Sequence, residues 1–287
     1  MAAIAYENGR FVRKSEAAVH IEDRGYQFAD AVYEVWALFD GKLSDPVGHF
    51  ARLERSLGEL KIAMPMSIAA LTLVLKETVR RNRVRDGMAY LQVSRGVARR
   101  DHAFPNPEVP PAIVITVSRV DRQAAEARAQ AGAAVITVPE TRWGRCDIKT
   151  VGLLPNALAK QAAREAGAVE AWFIDEMGLV TEGASSNAWI VDKDGALRTR
   201  DTQANLLRGV TRMSLLDVAR EAGMTVEERP FSRQEALEAR EAFITGAGTL
   251  VLPIVKVDGR AIGDGAPGPV ATALRRLYIE HAKATSI

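Results

Sequence analysis

Two domains of mixed α and β structure are what this sequence predicts, and three observations lead there. The chain has 287 residues, more than the roughly 100–200 of one average domain. Apolar runs of strand length and stretches of helical spacing are interspersed along it without any internal repeat, the pattern of an α+β / α/β chain rather than of an all-α or all-β one. A polar, Ala-rich stretch at 120–130 reads as a helix or an interdomain linker at the domain boundary, leaving an N-terminal α/β domain over 1–119 and a C-terminal α/β domain over 131–287.

Taken in order, Ile4-Ala5-Tyr6-Glu7 and Arg10-Phe11-Val12-Arg13 flank Asn8-Gly9, the strongest short hairpin signal there is. Glu22 to Phe28 is polar and reads as a loop. Ala31 to Phe39 is rich in β-branched and aromatic residues and ends at Asp40-Gly41, which predicts a strand and a second hairpin. Phe50, Leu53, Leu57 and Leu60 recur at helical spacing, and Ser67 is placed to cap a second helix reaching about Arg83. Met88 to Val97 and Ala112 to Val117 read as strands on either side of a donor-rich, proline-stiffened loop, Arg99 to Pro107. In the second half, strands are expected at 135–138, 171–174, 188–191, 196–199, 242–245 and 255–257. Helices are expected over 157–168, from 206–211 to about 222, and over 269–282.

Composition narrows the function. Hydrophobic residues at 47% and charged residues at 26% suit a globular chain with a real core. Lys+Arg 38 against Asp+Glu 36 gives no field that would favour nucleic acid or an acidic membrane. The single cysteine, Cys146, excludes an intrachain disulfide and the usual cysteine-based zinc sites. No apolar run reaches the ~20 residues of a membrane span, and Glu7 and Arg10 leave no signal-peptide core. A reducing, cytoplasmic setting is therefore expected, and with only four histidines metal catalysis is not.

The chain is organised around Trp143-Gly144-Arg145-Cys146-Asp147-Ile148-Lys149-Thr150-Val151-Gly152. A lysine at a strand end, walled by Trp143, Ile148 and Val151, has a partly desolvated ammonium, and desolvation makes an amine a nucleophile toward aldehydes. A solvated lysine ahead of a helix would show the same pattern. Gly209-Val210-Thr211 opens a helix, where unpaired N–H groups and the positive dipole end favour phosphate, and Gly246-Ala247-Gly248 follows a strand, where small residues admit a ligand to the backbone. Either is also an ordinary cap or turn. Glu182, followed by Gly183-Ala184-Ser185-Ser186-Asn187, suggests a buried carboxylate with ordered neighbours, the kind that tunes a pyridinium ring, although a polar turn would look similar. His102 and Arg100 share one loop and suit a carboxylate. There is no Gly-x-Ser-x-Gly elbow and no glycine-rich nucleotide fingerprint after a strand.

In order along the chain stand Glu22-Asp23-Arg24-Gly25-Tyr26-Gln27-Phe28-Ala29-Asp30 with Val32-Tyr33-Glu34, Arg100-x-His102, Arg145-Cys146-Asp147-Ile148-Lys149, Thr181-Glu182-Gly183-x-Ser185-Ser186-Asn187 and Gly209-Val210-Thr211-Arg212. Together they resemble the fold-type-IV pyridoxal-phosphate enzymes, the group of branched-chain and D-amino-acid aminotransferases and aminodeoxychorismate lyase. The likeness covers nearly the whole chain and is nearest to the D-amino-acid branch. It implies a two-domain fold with the active site between the domains, and pyridoxal 5'-phosphate held by Lys149 as a Schiff base. It implies that Glu182 pairs with the pyridinium nitrogen and that Arg52 clamps the phosphate, helped by backbone donors at Gly209, Val210, Thr211, Gly246 and Ala247. Leu207 would pack on the ring, and Ser185 and Ser186 would order the site. Tyr33, Arg100 and His102 would trap the substrate α-carboxylate, with the arginine loop reaching the neighbouring subunit of a homodimer. The implied reaction is ping-pong transamination from a D-amino acid such as D-alanine to a 2-oxo acid such as 2-oxoglutarate or pyruvate. An L-branched-chain aminotransferase and an aminodeoxychorismate lyase are the alternatives on the same scaffold. Two departures stand out: Arg99-Arg100-Asp101-His102 where Pro-Arg-Ala-His is expected, with Asp101 placed either to pair with Arg99 or to tie up Arg100, and a glycine loop without hydroxyl side chains.

Overall fold

The structure, a computed structural model, describes residues 3–202 and 206–287. They form two compact units: the chain up to Asp121 with 148–152 and 285–287, and residues 122–147 with 153–284.

In the first unit a hairpin of β1 (Ile4–Glu7) and β2 (Arg10–Arg13) turns at Asn8-Gly9. Both turn residues have positive φ, 43° and 93°, as a two-residue hairpin loop requires. There follow α1 (Arg24–Phe28), β3 (Ala31–Phe39), β4 (Lys42–Leu43), α2 (Pro46–Glu59), α3 (Ile68–Asn82), β5 (Gly87–Ser94) and β6 (Ala112–Arg119). The strands make one antiparallel sheet in the order β2-β1-β6-β5-β3-β4. Its core joins Val32, Trp36 and Leu38 of β3 to Phe50, Leu53 and Leu57 of α2 and to Leu71, Leu75 and Val79 of α3. The apolar spacing that predicts α2 is thus its buried stripe, and the Ser67 hydroxyl caps α3 by accepting from the Ala70 N–H.

The lysine stretch belongs to this unit. β4 covers its edge of β3 only at Leu38 and Phe39, which leaves the start of β3 open on that side. Residues 149–151 fill the opening: Tyr33 N–H donates to the Lys149 carbonyl at 3.0 Å, and Val151 N–H to the Ala31 carbonyl at 3.1 Å. Ile148 drops into the core as a plug. This differs from the expected assignment of Lys149 to the C-terminal domain, because pairing with β3 overrides nearness in sequence. The stretch over 120–130, expected as a helix or a linker, is the helix α4 (Arg122–Ala131), the first element of the second unit, with Ala129 buried.

The second unit continues with β7 (Ala133–Pro139), α5 (Leu154–Glu165), β8 (Glu170–Ile174), β9 (Val180–Gly183), β10 (Asn187–Val191), β11 (Leu197–Thr199), α6 (Val210–Glu221), β12 (Val226–Glu228), α7 (Arg233–Glu238), β13 (Glu241–Gly246), β14 (Leu250–Val257), β15 (Arg260–Ala261) and α8 (Pro269–Ala284). The sheet runs β12-β11-β10-β13-β14-β7-β8-β9, with β15 beside β14. Its parallel pairs are β7 with β8, β7 with β14 and β11 with β12. Helix α5 starts at Leu154, so Pro155 and Asn156 lie inside its first turn, where a missing N–H does no harm. The sequence reading has no counterpart for α1, β9, β12, α7 and β15. Of these, α7 carried a legible signal, the Ser232/Glu235 capping box. No described helix is long and apolar enough to cross a membrane.

Candidate active site

In the first unit, period-two alternation along β3 sends Tyr33 to one face and Glu34 to the other. On the first face the Lys149 ammonium lies 4.1 Å from the centre of the Tyr33 ring. Among the described residues no carboxylate stands within ion-pair distance of it. Tyr33 stacks on Tyr90 with centroids 5.7 Å apart, and burial pushes the Tyr90 phenol up to about 12, so that phenol stays neutral. The Lys149 backbone is fixed as well, its N–H donating to Ser56 Oγ at 3.3 Å. Of the three residues expected to wall the amine, Trp143 is 48% exposed, and the ring actually against the ammonium is that of Tyr33.

On the opposite face Glu34 is fully buried and holds Arg52 through two contacts, Nε to Oε1 at 2.7 Å and Nη2 to Oε2 at 2.8 Å. His49 Nδ1 lies 2.7 Å from the same carboxylate. Burial works to raise the Glu34 pKa, but the charge and hydrogen bonds of Arg52, with those of His49, hold it at about 2. His49 is lowered, first by burial, so at neutral pH Glu34 and Arg52 form the ion pair and His49 a neutral third member. The sequence names Arg52 but not its two anchors: Glu34 lies 18 residues away on β3, and His49, one turn before Arg52 on α2, reads as an ordinary helix residue.

Arg100 and His102 stand exposed on the loop between β5 and β6. Both lean on Phe28: the Arg100 guanidinium is 4.7 Å from the ring centre and the His102 ring 5.4 Å away. Asp101 accepts the Ala103 N–H at 3.1 Å and makes no ion pair with Arg99 or Arg100, so the feared capture of Arg100 does not occur. Tyr33 lies with Lys149, apart from this loop's contacts.

In the second unit Glu182 lies on β9 and is buried. One carboxylate oxygen accepts from Arg142 Nη1, the other from Asn187 Nδ2 at 3.1 Å. Arg142 also binds Glu140, at 2.9 and 2.6 Å, and lies over Phe173. Burial pulls the Arg142 pKa down, yet the carboxylates of Glu140 and Glu182 outweigh it and keep the guanidinium charged. Asn187 links Glu182 to the next group of residues, since its amide also donates to the Leu207 carbonyl at 3.3 Å.

Gly209 is the N-cap of α6 and offers no side-chain cap to the N–H groups of the first turn, with Val210 and Thr211 buried behind it. A Cβ at Gly209 would come within 2.0 Å of Asn187 Oδ1, so only glycine fits there. The turn of Gly246 and Ala247 closes β13 onto β14. Gly246 is packed so that an added Cβ would lie 3.2 Å from the Ser185 carbonyl. The hydroxyl judged missing from this loop is present one step on: Thr249 Oγ1 is buried and has no hydrogen-bond partner. Ser185 and Ser186 both donate their hydroxyls to Glu170, at 2.8 and 3.0 Å, and so fix the turn after Glu182. Glu170 is 1% exposed and was not legible as part of the site. Cys146 donates to the Trp143 carbonyl at 3.1 Å, and burial pushes its thiol up to about 11, which makes it no nucleophile at neutral pH.

Within the second unit an uncapped helix start, and an orphaned Thr249 hydroxyl beside a glycine turn in sequence, suit a phosphate, and a buried carboxylate suits a ring N–H. Within the first unit Lys149 offers an amine of the kind an aldehyde takes. Among the described residues no group of three or more His, Cys, Asp or Glu could hold a metal ion.

The same architecture occurs in solved aminotransferases. The T.th. branched-chain amino acid aminotransferase with pyridoxamine 5'-phosphate superposes with a TM-score of 0.89 and 29% identity, over 99% of this chain and 95% of that one. At the level of sequence, the pattern that defines the amino-transferase class IV family matches residues 31–257, and the chain belongs to that family. It is 43% identical to a D-alanine aminotransferase of Bacillus licheniformis, over 97% of this chain and 98% of the relative. It is 38% identical to a D-alanine aminotransferase of Staphylococcus haemolyticus, again over 97% and 98%.

Proposed function

We propose that this chain is a pyridoxal-phosphate-dependent transaminase that takes the amino group from a D-amino acid such as D-alanine and passes it to a 2-oxo acid such as 2-oxoglutarate or pyruvate. The observation that carries the proposal is Lys149, an amine against the face of Tyr33 with no ion-pairing carboxylate among the described residues. Such an amine is available to bond an aldehyde, and once displaced by substrate it is available as a base. The cofactor, when bound, supplies that aldehyde and a ring able to accept electrons from the substrate Cα.

Each residue then has a task. Lys149 would take the proton from the substrate Cα. Glu182, aimed by Arg142 and Asn187, would accept the N–H of the pyridine ring. Arg52, fixed by Glu34, and the start of α6 at Gly209, Val210 and Thr211 hold the phosphate, with Gly246 and Ala247 adding backbone donors and Leu207 an apolar contact to the ring. Ser185 and Ser186 keep the turn after Glu182 rigid through Glu170. Tyr33, Arg100 and His102 bind the α-carboxylate and so decide which face of the substrate meets Lys149. The exposure of Arg100 and His102 supports a loop that serves the site of a second copy of the chain in a homodimer.

A second reading, an L-branched-chain aminotransferase, draws on the likeness to the T.th. enzyme. One half-reaction separates the two. D-alanine added to the purified holoenzyme should bleach the cofactor's visible absorbance and release pyruvate. Bleaching by L-leucine but not by D-alanine would overturn the proposal in favour of the second reading.

A further inference from the structure

Three successive carbonyls of the loop that carries Arg100 and His102 meet a single guanidinium. Arg24 donates through Nη1 to the carbonyls of Asp101, at 2.6 Å, and Ala103, at 3.2 Å, and through Nη2 to that of His102, at 3.3 Å. Its Nε binds Asp30 at 2.8 Å, and its side chain is only 4% exposed. Asp30 is itself held by Arg95, at 2.7 and 2.9 Å, and Arg95 donates onward to the carbonyls of Leu60 and Lys61. The helix that carries Arg24 is tied to the strand that feeds the loop. Asp23 accepts from the Gly25 N–H and from Ser94 Oγ, and the Arg24 N–H donates to the Gly96 carbonyl. Gly25 lies so close to that strand that a Cβ would come within 2.9 Å of the Ser94 Cβ.

Phe28, on the same helix, completes the pedestal, with the Arg24 guanidinium 4.8 Å and that of Arg100 4.7 Å from its ring centre. Exposed residues 99–104, which precede the first proline of the loop, would otherwise sample many conformations, and ordering them on substrate binding would weaken that binding. A planar guanidinium fork can serve an aspartate and three carbonyls at once; an ammonium on a flexible stem cannot.

We infer that Arg24 is a positioning residue that presets Arg100 and His102 for the substrate α-carboxylate, while touching neither substrate nor cofactor itself. The inference rests on the reading of Arg100 and His102 as the carboxylate clamp. Its test uses the holoenzyme and the variants Arg24→Lys, Arg24→Gln and, as reference, Arg100→Ala. Hydrogen exchange reports the loop, steady-state kinetics with D-alanine report KM and kcat, and absorbance reports the cofactor. Faster exchange confined to 99–104 is expected in both Arg24 variants. KM should rise between about tenfold and about a hundredfold, with kcat and cofactor absorbance little changed and the lysine variant the milder. Should Arg100→Ala raise KM while both Arg24 variants keep the parent value, the inference is overturned. Should Arg100→Ala leave KM unchanged, the clamp reading fails instead, and unaltered loop exchange in the Arg24 variants would then overturn the positioning role by itself.

Discussion

Replacing Glu34 with glutamine is the most quantitative perturbation the structure offers. The carboxylate is fully buried and takes two contacts from Arg52 and one from His49. Its pKa is lowered from 4.5 to about 2, which corresponds to roughly 3 kcal/mol of folded-state preference for the ionised form. Removing one partner of a buried ion pair also leaves the other charge uncompensated, and that loss is typically about 3–5 kcal/mol. Glu34→Gln should therefore lower stability at pH 7 by about 3 kcal/mol, measured by urea unfolding followed by circular dichroism. The sign of the pH dependence follows from the direction of the shift. A carboxyl with a depressed folded-state pKa stabilises fully above its unfolded value of 4.5, and that stabilisation is lost as the pH falls to about 2. The gap between parent and variant should accordingly be widest at neutral pH and shrink below pH 4.5. A gap under about 1 kcal/mol at pH 7, or one that does not change with acid, would refute the reasoning. Because Glu34 also aims Arg52, the same variant should release phosphate-bearing cofactor more readily, which equilibrium dialysis of the cofactor will show.

Lys149→Ala should cut turnover by about 10³ or more and leave the circular dichroism spectrum unchanged; transamination near the parent rate would exclude the lysine as base. For Glu182→Gln, a fall in kcat of at least about a hundredfold is expected at full cofactor loading, checked by kinetics on spectrally titrated enzyme. In Gly209→Ala the new Cβ would overlap Asn187 Oδ1, and such overpacking costs about 1–3 kcal/mol. Thermal unfolding should register that loss, and the shift of Asn187 should loosen its bond to Glu182 and weaken cofactor binding.

Much of the fold was legible because its elements carry local signals. Asn8-Gly9 and Asp40-Gly41 mark their hairpins, the Phe50-Leu53-Leu57 stripe marks α2, and Ser67 caps α3. What escaped was non-local. Nothing near Lys149 in sequence says that residues 149–151 complete the open side of β3 and so belong with the first unit. The residues of the site show the same divide. Lys149, Glu182, Arg100 and His102 are marked by type and by the motifs around them. Arg142 and Glu170 act by holding another residue at a distance set by the fold and stand in no motif, while Glu34 and Asn187 stand inside motifs that do not say which residue each one holds. Arg24 and Phe28 sat inside a motif that read as a polar loop, and only the carbonyls of 101–103 reveal what the motif is for.

The amine that carries the cofactor decides the central claim. Borohydride reduction of the freshly purified holoenzyme, followed by digestion and mass spectrometry, fixes the attachment at one amine and reads its position. A phosphopyridoxyl group on the peptide that contains Lys149 is the predicted result. The same group on another lysine, such as Lys160, or unmodified Lys149 in enzyme that had carried the cofactor, would contradict it.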